Sequence, residues 1–144
     1  MTTPTPLAST ETRLAGYAAI FGRRDNGGDT ILPGAFARTL ASHAARHAPI
    51  PLFWQHRPEQ QVGWIDHAQE DARGLRIVAR LTNPDGAKAA LVRDGTVRGL
   101  SFGYRVTAAR RTRAGRDIVA VDLVEVSLVT RPMQPFAQVH LVTA

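Results

Sequence analysis

The stretch GLSFGYRVT, residues 99–107, decides how the rest of the chain is interpreted. It contains a Gly-x-Ser-x-Gly pattern centred on Ser101, which in α/β hydrolases lies on a sharp turn between a strand and a helix. Here the residues after Ser101 alternate between large apolar and small or polar side chains, which is the period of a continuing strand. We therefore predict a strand over residues 100–108 and exclude the α/β hydrolase elbow.

The two faces of this predicted strand differ in character. Leu100 and Phe102 share the apolar face, whereas Ser101 lies on the other face between Gly99 and Gly103. Bare backbone on both sides of a serine leaves room for a bulky acyl group, so Ser101 is a candidate nucleophile. Alternatively, the glycines admit close packing of another strand and the serine is inert.

A serine nucleophile needs a base, and histidine is the side chain best suited to that role near neutral pH. His56 follows an apolar strand predicted over residues 50–55 and precedes a loop predicted at 57–60. Its plainer interpretation is a surface histidine at the end of a strand, and His67 is a reserve candidate for the base. His43 and His47 have the i, i+4 spacing of a helical metal pair, but a polar helix face explains them better.

The stretch VDLVEVSLVT, residues 121–130, contains the candidate acid. A carboxylate such as Glu125 in so apolar a strand costs free energy unless it has a partner, and an imidazole would serve. Glu125 could then orient His56 and stabilise its protonated form. An exposed edge glutamate, or a structural pair with an arginine, explains Glu125 equally simply, and Asp122 is a rival carboxylate.

Composition narrows the classes of protein to which the chain can belong. The chain has 144 residues, of which 44% are hydrophobic, so it can form a core. It contains no cysteine, which excludes thiol catalysis, thiolate metal sites and disulfides. The net charge is +6, yet the arginine run at residues 110–113 is best interpreted as a solvated hairpin tip. No apolar run has the length of a membrane span, and we expect no membrane partner and no specific nucleic acid.

The pattern of elements predicts an α+β, mainly β fold: a small seven-stranded antiparallel barrel with peripheral helices. Residues 1–11 are expected to be a flexible leader and residues 12–144 a single domain. The predicted helices cover residues 33–47 and 86–94. The predicted strands cover residues 14–21, 50–55, 62–68, 75–81, 100–108, 117–130 and 138–142.

Several short motifs together resemble the prohead proteases of tailed phages, the capsid maturation proteases related to herpesvirus assemblins. The motifs are GYAAIFG at 16–22, DTILPGAF at 29–36, PLFWQH at 51–56, GLSFGY at 99–104 and EVSLVTRP at 125–132. The resemblance runs from about residue 14 to residue 139. It implies an assemblin-like barrel and a serine endopeptidase with Ser101 as nucleophile, His56 as general base and Glu125 as third member.

The same resemblance implies what the protein acts on and where. The implied substrates are the scaffolding domain of the major capsid protein, or a separate scaffold, and the protease itself. The implied location is the assembling prohead, within the cytoplasm of the bacterial host. No cofactor or metal is implied, and a homodimer is left open.

Two other functions remain open at this point. One is a catalytically inactive capsid-assembly or scaffold component that retains the barrel. The other is a basic nucleic-acid-binding barrel, although only 6% of the residues are aromatic and few have positions suited to base stacking.

Overall fold

The structure, a computed structural model, describes residues 12–143. The leader expected at residues 1–11 therefore lies outside the described residues. The helices are α1 (Ala37–Ala45) and α2 (Ala87–Arg93). The strands are β1 (Thr12–Ile20), β2 (Asp29–Ile31), β3 (Ile50–Trp54), β4 (Arg57–Glu70), β5 (Gly74–Leu81), β6 (Gly99–Arg111), β7 (Arg116–Val129) and β8 (Val139–Thr143).

The strands form one sheet that curls on itself into an open barrel. Along the sheet the order is β2-β7-β3-β4-β5-β1-β8, and β6 pairs with β7 as well. The curl brings β6 towards β8, where Gly99 and Gln138 form a bridge and Leu100 N–H donates to the carbonyl of Ala137 at 2.9 Å. The mainly β expectation is confirmed, and β2 is a short strand additional to the seven predicted.

The antiparallel expectation is right for most of the sheet and wrong at two pairings. Strands β2 and β3 both run parallel to β7. Parallel neighbours need a long connection between them, and here residues 55–115 separate β3 from β7 in sequence. The β3–β7 pairing matters for function because it brings the end of β3, just before His56, against residues 126–128 of β7.

The core fills the inside of the curled sheet, and the helices cover its ends. Phe36, Leu52, Ile77, Leu100 and Leu128 are all completely buried. Helix α1 packs on β7 and β4, and α2 contacts β8. Burial of large apolar side chains, worth roughly 1.5–3 kcal/mol each, holds the strands in this arrangement. Neither helix described in residues 12–143 has the length and apolarity needed to span a membrane.

Helix α1 begins four residues later than the expected residue 33. Gly34 adopts a positive φ of 92°, which is incompatible with a continuous right-handed helix. The carboxylate of Glu70 accepts the backbone N–H groups of Gly34 and Phe36, each at 2.7 Å, and so stabilises the turn that precedes the helix. The prediction began the helix too early because Ala35 and Phe36, which fit the apolar spacing of a helix, are buried in the turn that precedes it.

Candidate functional site

The register of β6 against β7 assembles one face of the candidate site. Ser101 lies opposite Ser127, and Gly103 lies opposite Glu125. Because alternate residues of a strand share a face, Ser101, Ser127 and Glu125 all lie on the same side of this strand pair. The sheet thus brings together two of the three residues singled out in the sequence.

A bulge at Val124 interrupts the alternation of β7 directly beside Glu125. In the β6–β7 ladder Gly103 pairs with Glu125 but Tyr104 pairs with Leu123, so Val124 is the extra residue. Val124 is 46% exposed, whereas Leu123 and Val126 are buried. Simple alternation along residues 121–130 predicts that Val124 shares a face with Val126 and that Leu123 shares one with Glu125. Both predictions are wrong, because the bulge interrupts the alternation.

His56 lies in a tight turn between two strands rather than at the start of a loop. Strand β4 begins at Arg57, so the loop predicted at residues 57–60 is wrong. Gln55 and His56 form a two-residue hairpin turn with φ values of 53° and 61°. Positive φ at both central residues is the geometry that matches the twist of a hairpin, and it usually carries asparagine or glycine. Two consecutive residues without that preference store strain, a feature common at functional sites.

Strand β7 holds this turn in place. The backbone N–H of Gln55 donates to the carbonyl of Leu128 at 2.9 Å. The backbone N–H of His56 donates to the side-chain oxygen of Ser127 at 3.1 Å. These two hydrogen bonds therefore hold the turn against β7, the strand that carries Glu125, directly beside the imidazole of His56.

The imidazole of His56 pairs with Glu125. Its Nδ1 lies 2.6 Å from Oε1 of Glu125, whose side chain is almost fully buried. A carboxylate can only accept, so Nδ1 is the donor and the neutral ring carries its lone pair on Nε2. The hydrogen bond that His56 donates to Glu125 raises the pKa of His56 above its ordinary value of 6.5, outweighing partial burial, which acts in the opposite direction.

Ser101 and His56 line the same small cavity of about 110 Å³. Ser101 is 9% exposed, and Tyr104, Asp25 and Gln134 are among the other residues of the lining. Within the described residues 12–143, no hydrogen bond joins Ser101 to His56. The lack of this bond is compatible with catalysis, because hydrogen bonds between catalytic side chains are often long when no substrate is bound.

The remaining candidates of the sequence lie elsewhere. Both ring nitrogens of His43 lie against backbone carbonyls, at 3.1 Å from that of Ala48 and 2.9 Å from that of Leu123. His67 is exposed and lines a separate groove with His43 and His47. Asp122 is exposed on β7, so Glu125 and not Asp122 is the carboxylate that meets His56. Within residues 12–143 no group of three or more potential ligands could hold a metal ion.

Comparison with known proteins places the chain in a family. Residues 2–144 match the family model described as Caudovirus prohead serine protease. The chain belongs to this prohead protease family. The resemblance stated from the sequence motifs is thereby confirmed.

Two curated phage proteins are similar to this chain in sequence. The chain is 38% identical over 95 residues to the prohead protease of Enterobacteria phage HK97, covering 63% of this chain and 41% of the relative. It is 28% identical over 95 residues to a capsid polyprotein of Pseudomonas phage PAJU2, covering 58% and 14%. The chain thus spans less than half the length of either curated relative.

The fold is shared with viral proteases whose sequences have diverged widely. The bacteriophage T4 capsid assembly protease superposes with a TM-score of 0.63 at 14% identity, covering 81% of this chain and 80% of the other. KSHV protease in complex with a hexapeptide phosphonate inhibitor gives 0.61 at 13% identity, covering 93% and 65%. Varicella-zoster virus protease gives 0.53 at 16% identity, covering 90% and 63%. These likenesses confirm the assemblin-like fold.

Gly99 and Gly103, on either side of Ser101, permit close packing of the neighbouring strand, which is the alternative that the sequence left open, rather than access for a substrate. A Cβ on Gly99 would lie 2.6 Å from the carbonyl oxygen of Val129, and a Cβ on Gly103 would lie 2.8 Å from Cδ of Glu125. These glycines therefore do not provide open space for a substrate. Gly103 makes room for the buried carboxylate that meets His56, which no pattern within residues 99–103 could reveal.

The contact between Gly103 and Glu125 gives a prediction that does not depend on catalysis. The Gly103→Ala substitution forces a methyl group into the carboxylate, and we expect it to lower the free energy of unfolding by about 1–3 kcal/mol. In a Glu125→Ala background the same change should cost much less, because the obstructing carboxylate is gone. Urea denaturation of the wild type, both single variants and the double variant measures this. Equal costs in the two backgrounds would show that the carboxylate is not what excludes the methyl group.

Two residues of the site were missed as functional candidates. The usable signal for Ser127 was its i, i+2 spacing from Glu125 on an apolar strand. Nothing in the local sequence marks Gln134. Its buried side-chain amide accepts the N–H of Ile20 and donates to the carbonyl of Ile20, both at 2.8 Å. Gln134 thus ties the wall of the Ser101 cavity to β1.

Proposed function

We propose that this chain is a serine endopeptidase of prohead maturation, in which Ser101, His56 and Glu125 act as nucleophile, general base and orienting acid. The observation that carries the proposal is the position of His56. Its Nδ1 meets a buried carboxylate, and its side chain lines the same cavity as Ser101. Membership of the prohead protease family supports the same reading.

The proposed chemistry is acyl transfer in two stages. His56 Nε2 takes the hydroxyl proton as Ser101 Oγ attacks a peptide carbonyl, and the resulting imidazolium returns the proton to the leaving amine. Water activated by the same ring then hydrolyses the ester and releases the second fragment. Glu125 keeps Nδ1 protonated, so that Nε2 is the nitrogen available to Ser101, and its charge stabilises the imidazolium.

The substrates we propose are the scaffolding domain of the major capsid protein, or a separate scaffold, and the protease itself. Support comes from the family description and from relatives named as a prohead protease and a capsid polyprotein. The reaction would take place inside the assembling prohead in the bacterial host. A homodimer and the single-domain organisation of residues 12–144 remain predictions.

The Glu125→Gln variant should lower kcat by about 10²-fold, less completely than loss of the nucleophile. The pH dependence should change as well. The base is active when neutral and its pKa in the folded protein is raised, so wild-type activity should rise with pH through a midpoint above 6.5. In Glu125→Gln this midpoint should fall towards 6.5, since the hydrogen bond to a charged acceptor is lost. Cleavage rates from pH 5 to 9 measure both effects (about the range over which histidine titrates). An unchanged midpoint and rate would point to Asp122 or to no acid.

Incubation of the chain with a purified capsid precursor, with and without a serine-directed inhibitor, tests the function. We expect inhibitor-sensitive cleavage of the scaffolding domain. A catalytically inactive assembly component would leave the precursor intact while still binding it. A nucleic-acid-binding barrel would instead show DNA binding that weakens with salt and no peptidase activity. Either of these two results would reject the peptidase.

A further inference from the structure

Ser127 is a completely buried serine of β7 that lies between the candidate acid and the backbone of the candidate base. We propose that Ser127 is a positioning residue, whose hydroxyl holds the carboxylate of Glu125 and the strained backbone of His56 in one fixed arrangement. Its effect on catalysis rests on the proposed function, but its effect on the imidazole does not.

The hydrogen bonds of Ser127 have a single consistent direction. Its Oγ lies 2.6 Å from Oε2 of Glu125, and because a carboxylate only accepts, the hydroxyl proton must point to Oε2. A lone pair of the same oxygen accepts the backbone N–H of His56 at 3.1 Å. One hydroxyl therefore connects the acid to the main chain of the residue that the acid orients.

The carboxylate of Glu125 is held from three sides. Oε1 accepts from Nδ1 of His56, Oε2 accepts from Ser127, and the bare Cα of Gly103 lies beneath the group. Without the Ser127 hydroxyl, Oε2 would lose its partner in a site that is closed to solvent. A buried carboxylate oxygen without a donor favours rotation of the group towards other partners, and that rotation weakens the contact with His56.

The turn at His56 needs a compensating contact. Non-glycine residues with positive φ are strained and persist where surrounding interactions hold them. The N–H of His56 can satisfy its hydrogen bond in this conformation because Ser127 lies beneath it. Loss of the hydroxyl would remove that partner and let the imidazole move relative to Ser101.

Ser127 is not itself a second nucleophile. It is 0% exposed and is not among the residues that line the Ser101 cavity. Its proton is committed to Glu125 rather than to a base. Asp25, the carboxylate among the residues that line the cavity, accepts the backbone N–H groups of Gly27 and Asp29, and among residues 12–143 no hydrogen bond joins it to the imidazole of His56.

The test compares Ser127→Ala with a matched control, Thr39→Val. Thr39 is a buried residue of α1 whose hydroxyl accepts the backbone N–H of Leu123 on β7 at 2.9 Å. Both substitutions thus remove a hydroxyl that accepts a hydrogen bond from a buried or half-buried backbone N–H. Only Ser127→Ala also removes a hydrogen bond to Glu125. The ¹⁵N signals of the His56 ring, followed by NMR through a pH titration of the full chain, report its pKa without any substrate.

In Ser127→Ala we expect the pKa of His56 to fall towards 6.5 and kcat to drop about 10- to 100-fold with little change in KM. Thr39→Val should leave the titration and kcat as in the wild type, even if it unfolds at lower urea. Ser127→Cys keeps the shape of the side chain but is a weak hydrogen-bond donor, so the pKa of its His56 and its kcat should lie between those of the wild type and Ser127→Ala. It replaces Ser127→Ala if that variant fails to fold.

An unchanged His56 titration in folded Ser127→Ala would overturn the positioning role, whatever the activity. So would an equal loss of kcat in Thr39→Val, because that would indicate general destabilisation. If the pKa of His56 falls in Ser127→Ala as expected, while neither the wild type nor any variant cleaves the capsid precursor, the positioning role stands and the proposed peptidase fails.

Discussion

The Ser101→Ala variant is expected to lose cleavage of the capsid precursor completely while keeping its fold. Removal of a serine nucleophile lowers turnover by about 10⁶-fold in enzymes of this chemistry, which is below detection in a gel assay. The missing oxygen leaves only a small void in the strand, so the free energy of unfolding should change by about 1 kcal/mol or less. Cleavage assayed by gel and mass spectrometry, with circular dichroism and urea denaturation for the fold, measures both effects.

Ser42→Ala is the matched control for this variant. Ser42 is a partly exposed serine of α1 and is not among the residues that line the Ser101 cavity, so its substitution should leave cleavage unchanged. Undiminished cleavage by Ser101→Ala would discard the nucleophile assignment. Loss of activity in both variants would point to a damaged preparation rather than to a lost nucleophile.

Substitution of His56 should be nearly as damaging as substitution of Ser101. In His56→Ala no base takes the proton of Ser101, and kcat should fall by at least about 10⁴-fold. His56→Asn separates chemistry from backbone strain, because asparagine tolerates the positive φ at this turn. Cleavage rates of both variants, together with their stabilities, provide the measurement.

His67→Asn serves as the comparison for the His56 variants. His67 is exposed in a separate groove with His43 and His47, and its loss should leave the rate unaffected. Full activity in His56→Asn combined with lost activity in His67→Asn would reverse the assignment of the base. Near wild-type activity in both His56→Asn and His67→Asn, with activity lost only in His56→Ala, would instead indicate that turn geometry alone matters.

Part of the site could be predicted because its residues carry local signals. Alternation after Ser101 identified a strand rather than a hydrolase elbow, and β6 is indeed a strand from Gly99 to Arg111. The cost of burying a charge singled out Glu125 as a carboxylate in need of a partner, and the structure pairs it with His56. The exposed arginine run at residues 110–113 lies at the β6–β7 hairpin, as its composition indicated.

Other parts depend on contacts between distant residues, which leave no mark on a single segment. Neither Gln55 nor His56 is the asparagine or glycine that such a turn usually carries, and the turn is held by β7, more than seventy residues later in the chain. The parallel pairing of β3 with β7 likewise depends on tertiary contacts and not on the local sequence of either strand. The bulge at Val124 shifts the alternation of β7, so period counting assigned Val124 and Leu123 to the wrong faces.

The use of Gly103 illustrates the same limit. A glycine beside a serine suggests access for a substrate, whereas the structure gives that space to a carboxylate from the neighbouring strand. Both interpretations agree with the residues 99–103 alone. Only the register of β6 against β7 distinguishes them, and register is set by the whole sheet.

The most direct measurement is covalent labelling with a peptide phosphonate, followed by mass spectrometry to locate the modified residue. The proposed site predicts one adduct, on Ser101 Oγ, which forms in the wild type and in Thr39→Val but not in His56→Asn. An adduct on a different serine, or an unlabelled Ser101 in a preparation that cleaves the capsid precursor, would contradict it.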